Sequence, residues 1–121
     1  MAASPPADRT PGALARVYLE AWPEGDFDSL RDILGPDVTF RGPLGSADGI
    51  EECLAGLQGM ASMLTGITIH KMMVDDTDVM TWYDFEADDI VMPTVNWSHV
   101  EGGLITAIQA TFDPRPVAPP S

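Results

Sequence analysis

Basic side chains are scarce in this chain. Six Lys and Arg stand against nineteen Asp and Glu, giving a net charge of −13 over 121 residues. Nucleic acid is held by neutralising its phosphates with Lys and Arg, so it is excluded as a partner. An anionic membrane surface is excluded by the same repulsion, and the acidity reads as a solvated surface. Cysteine is reduced to Cys53 alone, so there is no intrachain disulfide and no need for an oxidising compartment. Histidine is limited to His70 and His99. No His-x-His or Cys/His cluster offers a zinc site, and Asp75, Asp76 and Asp78 lack calcium-loop spacing, so no metal is expected. No glycine-rich phosphate loop follows a strand, and Ser46, Ser62 and Ser98 lack a Gly-x-Ser-x-Gly setting; no cofactor is expected. No apolar run approaches the roughly 20 residues of a membrane span. The polar, Pro-rich start MAASPPADRTPG does not resemble a signal peptide, so a cytoplasmic location is expected.

The residues that are present describe one domain over 11–113, between a polar tail at 1–10 and the Pro-rich tail 114–121. Thr10 followed by Pro11 is a helix start. Leu14, Val17, Tyr18, Ala21 and Trp22 then form one apolar helix face, stopped by Pro23 and Gly25. Asp26 caps a second helix carrying Phe27, Leu30, Ile33 and Leu34, ended by Gly35-Pro36. Val38–Arg41 is a short strand. Ser46 or Asp48 caps a third helix, reaching about Leu64, with Cys53, Leu54, Leu57 and Met60 on its apolar face. The period then becomes two. Strands are predicted around Ile67–Met72, at Val79–Ala87, Val91–Glu101 and Leu104–Asp113, with Gly102-Gly103 as a tight hairpin turn. Helices first and a strand meander afterwards predict an α+β fold, about three N-terminal helices packed on one face of a curved, largely antiparallel sheet.

The segments YLEAWPEGDFDSLRDIL, PDVTFRGPLG, IEECLAGL and VEGGLITAIQATFD resemble the nuclear transport factor 2-like superfamily. Its cone-shaped α+β fold is shared by ketosteroid isomerase, limonene epoxide hydrolase and SnoaL-type polyketide cyclases. The resemblance covers Thr10 to about Pro116. It implies a deep apolar cavity, an apolar small-molecule ligand or substrate, and a homodimer. Carried over residue by residue, the isomerases' tyrosine donor matches Tyr18, while their base falls at Gly42 and their second acid near Val95. The hydrolases' first aspartate matches Asp84 and a shared histidine matches His70. Their arginine falls at Trp82, their second aspartate at Ala110, and their water-holding tyrosine and asparagine at Phe40 and Gly42. The catalytic set is therefore incomplete for either reaction.

Two registers are open for Asp84. Strand alternation sends it, with Trp82 and Glu86, to one face and Tyr83 with Phe85 to the other. An inward Asp84 would have a raised pKa and serve as acid or base; an outward one would face water. The candidate catalytic residues are Asp84, Tyr18 as polariser, and His70 as a cross-strand partner of Asp84. The candidate ligand contacts are Trp22, Phe40, Leu57, Met60, Trp82, Trp97, Ala110 and Phe112. On the last strand Ile108, Ala110 and Phe112 face the cavity, and Ala107, Gln109 and Thr111 the outer surface. That surface is a candidate dimer interface if Trp82 or Trp97 joins it. The function expected is isomerase-, cyclase- or epoxide hydrolase-like acid/base chemistry on an apolar small molecule. The alternative is non-catalytic binding of a hydrophobic ligand, or a dimeric accessory protein.

Overall fold

The computed structural model describes residues 8–116, so most of each expected tail lies outside the described residues. Helix α1 spans Pro11–Glu24. The Thr10 hydroxyl makes no cap bond; its backbone N–H instead donates to Asp8 Oδ1 at 2.9 Å. Pro23 does not stop α1 but sits in its last turn. The end comes at Gly25, whose φ of +70° is a left-handed cap suited to glycine. Asp26 caps α2 (Phe27–Ile33), accepting from Ser29 N at 3.1 Å and Ser29 Oγ at 2.6 Å. These bonds hold its carboxyl below the usual range.

Strand β1 (Leu34–Gly42) starts directly after α2, earlier than the sequence pattern places it. Leu34 has already turned extended, and Pro36 cannot continue a helix. Strand β2 (Gly45–Asp48) is an addition that the sequence reading lacks; it pairs with β1 as an antiparallel hairpin. Ser46 and Asp48 thus lie in a strand, and α3 (Ile50–Ala61) has Gly49 as its N-cap, where φ is +88°. Four longer strands follow: β3 (Gly66–Val74), β4 (Asp78–Ala87), β5 (Ile90–Glu101) and β6 (Leu104–Phe112). Gly102 and Gly103, at φ +60° and +77°, make the tight turn between β5 and β6.

The sheet order is β2-β1-β6-β5-β4-β3. All neighbours are antiparallel except β1 and β6, which run parallel. The three helices cover one face of this curved, open sheet, and the core lies between. It is built from Leu14, Tyr18 and Trp22 of α1, Leu30 and Ile33 of α2, Leu54 and Leu57 of α3, and Val38, Tyr83, Phe85, Ile105 and Ile108 of the sheet. Arg9, which the sequence assigns to the tail, is held at 2.7 Å from Asp32 Oδ2 and 3.0 Å from Gly103 O. No helix among the described residues is long and apolar enough to cross a membrane.

Leu30 is fully buried and carries the packing of the seven-residue α2. Leu30→Ala is expected to lower unfolding free energy by about 2–5 kcal/mol in urea titration. A loss below about 1 kcal/mol would show that α2 adds little to the core.

Candidate functional site

The inward rows of the sheet and the apolar faces of α1 and α3 enclose two adjoining spaces. The outer one, a vestibule of about 220 Å³, is lined almost wholly by apolar surface from Phe40, Leu44, Ala47, Cys53, Leu57, Met60 and Phe112, among others. The inner one, of about 10 Å³, is lined by Tyr18, Trp22, Tyr83, Thr94, Asn96 and Ala110 and by three residues shared with the vestibule. Those three, Phe40, Met60 and Phe112, line both spaces where they adjoin. The inner space is large enough for about one water molecule.

Each lining residue is placed by its element. Tyr18 and Trp22 are four residues apart, so both point from one face of α1. Their rings are tilted at a centroid distance of 5.9 Å. The Trp22 Nε1–H donates to Leu57 O at 2.9 Å, which anchors α1 to α3. From the sheet, Tyr83 and Phe85 of β4 and Met92, Thr94 and Asn96 of β5 all turn inward and are nearly fully buried.

The inner space ends in polar atoms. Ser98 Oγ donates to Asn96 Oδ1 at 3.3 Å, and Thr94 Oγ1 donates to Met92 O at 3.1 Å. By hydrogen-bond geometry two buried atoms are left without a partner, Tyr18 Oη and Asn96 Nδ2, although the Asn96 amide lies close enough to both phenols to favour their ionised forms. Burial pushes the Tyr18 hydroxyl well above the usual phenol range, with a further rise from the Tyr83 hydroxyl nearby; the Asn96 amide opposes this in part. Burial likewise raises Tyr83, again opposed by Asn96. Both phenols stay protonated, so Tyr18 is a donor. A phenol O–H and an amide N–H at the closed end of an apolar cavity can hold and polarise one ligand oxygen.

The structure divides the sequence candidates between the two faces of the sheet. Tyr18, Trp22, Phe40, Met60, Ala110 and Phe112 line the inner space, and Leu57 lines the vestibule. Asp84, His70, Trp82 and Trp97 do not. Because Tyr83 and Phe85 turn inward, alternation places Trp82 and Asp84 on the face away from the helices. Trp82 is 51% exposed. His70 Nε2 does meet Asp84 Oδ2, at 2.8 Å, and the His70 ring lies 4.7 Å from that of Trp82. This pair nevertheless sits on the opposite side of the sheet from Tyr18. On β5 Val95 and Trp97 point outward and Asn96 inward, one residue from the position the resemblance suggests for an acid. At Gly42, where the resemblance would place a base, a side chain would meet the Phe40 ring at 3.1 Å. That space already belongs to Phe40. Among the described residues, no Asp, Glu or His lines either space.

Asn96, Thr94 and Tyr83 are the polar residues of the inner space that the sequence reading did not select, beside the apolar Phe85 and Met92. The available signal was the pairing of Asn96 with the inward Ala110 of β6, a register that local pattern alone does not supply.

Two measurements test this geometry. If Tyr18 Oη is unpartnered, Tyr18→Phe removes a buried polar group and is expected to be neutral or to stabilise by up to about 1 kcal/mol. A destabilisation of that size would instead reveal a hydrogen bond. The second concerns pH. A free phenol ionises near pH 10, and both folded phenols resist ionisation, so above pH 10 the unfolded chain releases protons that the folded chain keeps. The stability contributed by Tyr18 and Tyr83 is therefore complete below about pH 10 and falls as pH rises further. Phenolate absorbance is expected to appear only together with loss of circular dichroism; ionisation before unfolding would contradict the burial.

Comparison with known proteins places this geometry in a family. No curated protein matches the chain. Among solved structures, the chain is similar to an NTF2-like protein of unknown function from Cytophaga hutchinsonii, at 25% identity and TM-score 0.80, with 97% of this chain and 98% of that one covered. It shares its fold with a steroid delta-isomerase from Pseudomonas aeruginosa (16% identity, TM-score 0.75, 92% and 85% covered). It shares it also with an LEH-like epoxide hydrolase from M. tuberculosis (21% identity, TM-score 0.69, 84% and 80% covered). Residues 15–108 match the family described as SnoaL-like domain, a span that runs from α1 into β6 and includes Tyr18, Trp22, Phe40, Met60 and Asn96, and the chain belongs to that family.

Proposed function

We propose that the protein binds an apolar small molecule bearing one oxygen function, with hydrocarbon in the vestibule and the oxygen on Tyr18 Oη and Asn96 Nδ2. The observation that carries this reading is the pair of unpartnered donors at the closed end of an otherwise apolar cavity. Leaving a buried donor unmade costs about 1–3 kcal/mol. A carbonyl oxygen has two lone pairs and satisfies both donors together. Shape selects the rest of the ligand, because almost every other surface of the cavity is hydrocarbon.

Binding without turnover is favoured over acid/base catalysis by the same geometry. The structural relatives include proteins named as a steroid delta-isomerase and an epoxide hydrolase. Here the described lining residues offer donors but no carboxylate or imidazole to accept a proton. Asp84, the candidate base in the sequence, is separated from the cavity by the sheet itself.

Decalone and decalin, which differ by one carbonyl, test the assignment. Titration followed by tryptophan fluorescence is expected to show decalone binding about tenfold more tightly, a difference of about 1.4 kcal/mol. Tyr18→Phe and Asn96→Leu should each shrink that preference. Equal affinities for the two compounds would remove the oxygen site from the account, and no binding of either would remove the pocket. Decalone incubated with the protein in heavy water is expected to show no deuterium exchange beside its carbonyl above buffer. Accelerated exchange would establish catalysis in place of simple binding.

A further inference from the structure

The rim of the vestibule is apolar and open. Leu44 is 48% exposed there, although it is a large hydrocarbon side chain. A Cβ placed at Gly45 or Gly56, which also line the space, would meet nothing within 4 Å. The same holds at Gly59, about one turn further along α3. Glycine weakens a helix. Neither Gly56 nor Gly59 has a positive φ, and neither lets another part of the described chain approach. What they leave is a bare stretch of α3 backbone beside Leu44, on which further chain can lie closely. Among the described residues, no charged side chain lines the vestibule.

The chain leaves the sheet at this place. Strand β6 ends at Phe112, whose side chain lines the vestibule. Directly after it the backbone turns, with Arg115 N donating to Asp113 Oδ1 at 3.0 Å and Arg115 Nη2 to Asp113 Oδ2 at 2.6 Å. The turn pairs the one cation and the one anion that follow β6, and Pro114 between them is partly buried. Beyond Pro116 the sequence continues Val117-Ala118-Pro119-Pro120-Ser121, outside the described residues. Val117 to Pro120 are apolar and uncharged, in a chain at −13. Proline has no backbone N–H, so hydrocarbon can cover Pro119 and Pro120 without stranding a donor. At about 3.1 Å per residue a Pro-rich stretch of this length spans roughly 15 Å. That is wider than a space of about 220 Å³.

We propose that Val117–Pro120 lies across the vestibule mouth, against Leu44 and the Gly56–Gly59 stretch of α3, and that a ligand displaces it on entry. The competition rests on the reading of the vestibule as the place of the ligand's hydrocarbon. So short a tether holds the segment near its site at an effective concentration of about millimolar. A contact too weak to form between separate molecules is therefore populated within one. The apolar walls are kept from water while no ligand is bound, and binding exchanges one hydrocarbon cover for another. The covered fraction lowers the apparent ligand affinity in proportion. Selectivity follows from the same exchange. A ligand that fills the outer vestibule as well as reaching Tyr18 and Asn96 replaces the contact it removes, whereas a smaller one loses it.

A nitroxide on Ser121→Cys tests the placement in the full chain, since Cys53 is buried and stays unlabelled. The amide signals of Leu44, Gly45, Gly56 and Gly59 are expected to broaden, and those of Gly102 and Gly103, at the far end of β6, to stay sharp. Added decalone should restore the broadened signals. Val117→Asp combined with Pro119→Asp should abolish the broadening and, in the unlabelled chain, tighten decalone binding by about threefold or more. No broadening at the mouth overturns the placement. Broadening with a decalone affinity that the double variant leaves unchanged overturns the competition. Broadening that passes from labelled to unlabelled molecules in a mixture assigns the contact to a second copy and overturns the proposal as well. Decalone that binds neither the parent nor the double variant counts against the ligand reading instead, and the broadening alone then decides the placement.

Discussion

The indole of Trp22 joins the helical layer to itself and to the sheet. Its N–H reaches the Leu57 carbonyl of α3 at 2.9 Å, and its ring lies against Tyr18 at 5.9 Å and Phe85 at 5.7 Å. A buried hydrogen bond of this kind contributes about 1 kcal/mol net, and the aromatic contacts about 0.5–1.5 kcal/mol each beyond area burial. Its structural consequence is larger than those sums. By fixing how far α1 stands from α3 and from β4, Trp22 sets the width of the space between them. The inner chamber is what remains after that spacing is fixed, and Tyr18, one helical turn earlier, is delivered to its wall.

Once one face of the sheet is covered, the two-residue period of a strand decides everything on both faces. Slipping β4 by one residue would exchange Tyr83 and Phe85 for Trp82 and Asp84 inside. Burying Tyr83 and Phe85 gains roughly 1.5–3 kcal/mol for each large side chain. Burying Asp84 without a partner would cost several kcal/mol, so the observed register wins by a wide margin. The same choice supplies the outer surface. Each residue that alternation takes from the cavity, Trp82 and Asp84 on β4 and Val95 and Trp97 on β5, is added to the rows of the uncovered face.

The helices and four long strands were legible because their apolar residues repeat at the right period, as at Leu14, Tyr18 and Trp22. β2 was not, since Gly-Ser-Ala-Asp has no apolar alternation and exists through pairing with β1. The parallel pairing of β1 with β6 is likewise invisible to local pattern. Within the site, Tyr18, Met60 and Phe112 were legible as large residues on predicted inward faces, and Phe40 through the resemblance. Asn96 was hidden by an inversion on β5. Its outward row, Val91, Pro93, Val95 and Trp97, is more apolar than its inward row, Met92, Thr94, Asn96 and Ser98. A hydrophobic-phase reading therefore turns β5 the wrong way, whereas the structure puts Trp97, named in the sequence both as a ligand contact and as a possible part of the outer surface, on the outer face. Such an inversion is itself informative, because it marks a strand with demands on both of its faces.

The polar inward row of β5 also explains why the unpartnered atoms are so localised. Thr94 and Ser98 are buried, yet their hydroxyls bond within their own strand, to Met92 O and Asn96 Oδ1. Each is thereby neutral toward the cavity. The Ser98 bond gives Asn96 Oδ1 a partner and leaves Nδ2 without one, beside a phenol that burial keeps protonated. Valine or leucine in these places would give a simpler core with no orphaned donors. The arrangement instead concentrates the desolvation cost on two donors that line one chamber. A local violation of packing rules, surrounded by residues that obey them, is the physical signature of a binding site. Here it matches the ligand proposed above, with hydrocarbon along its length and an acceptor at its tip.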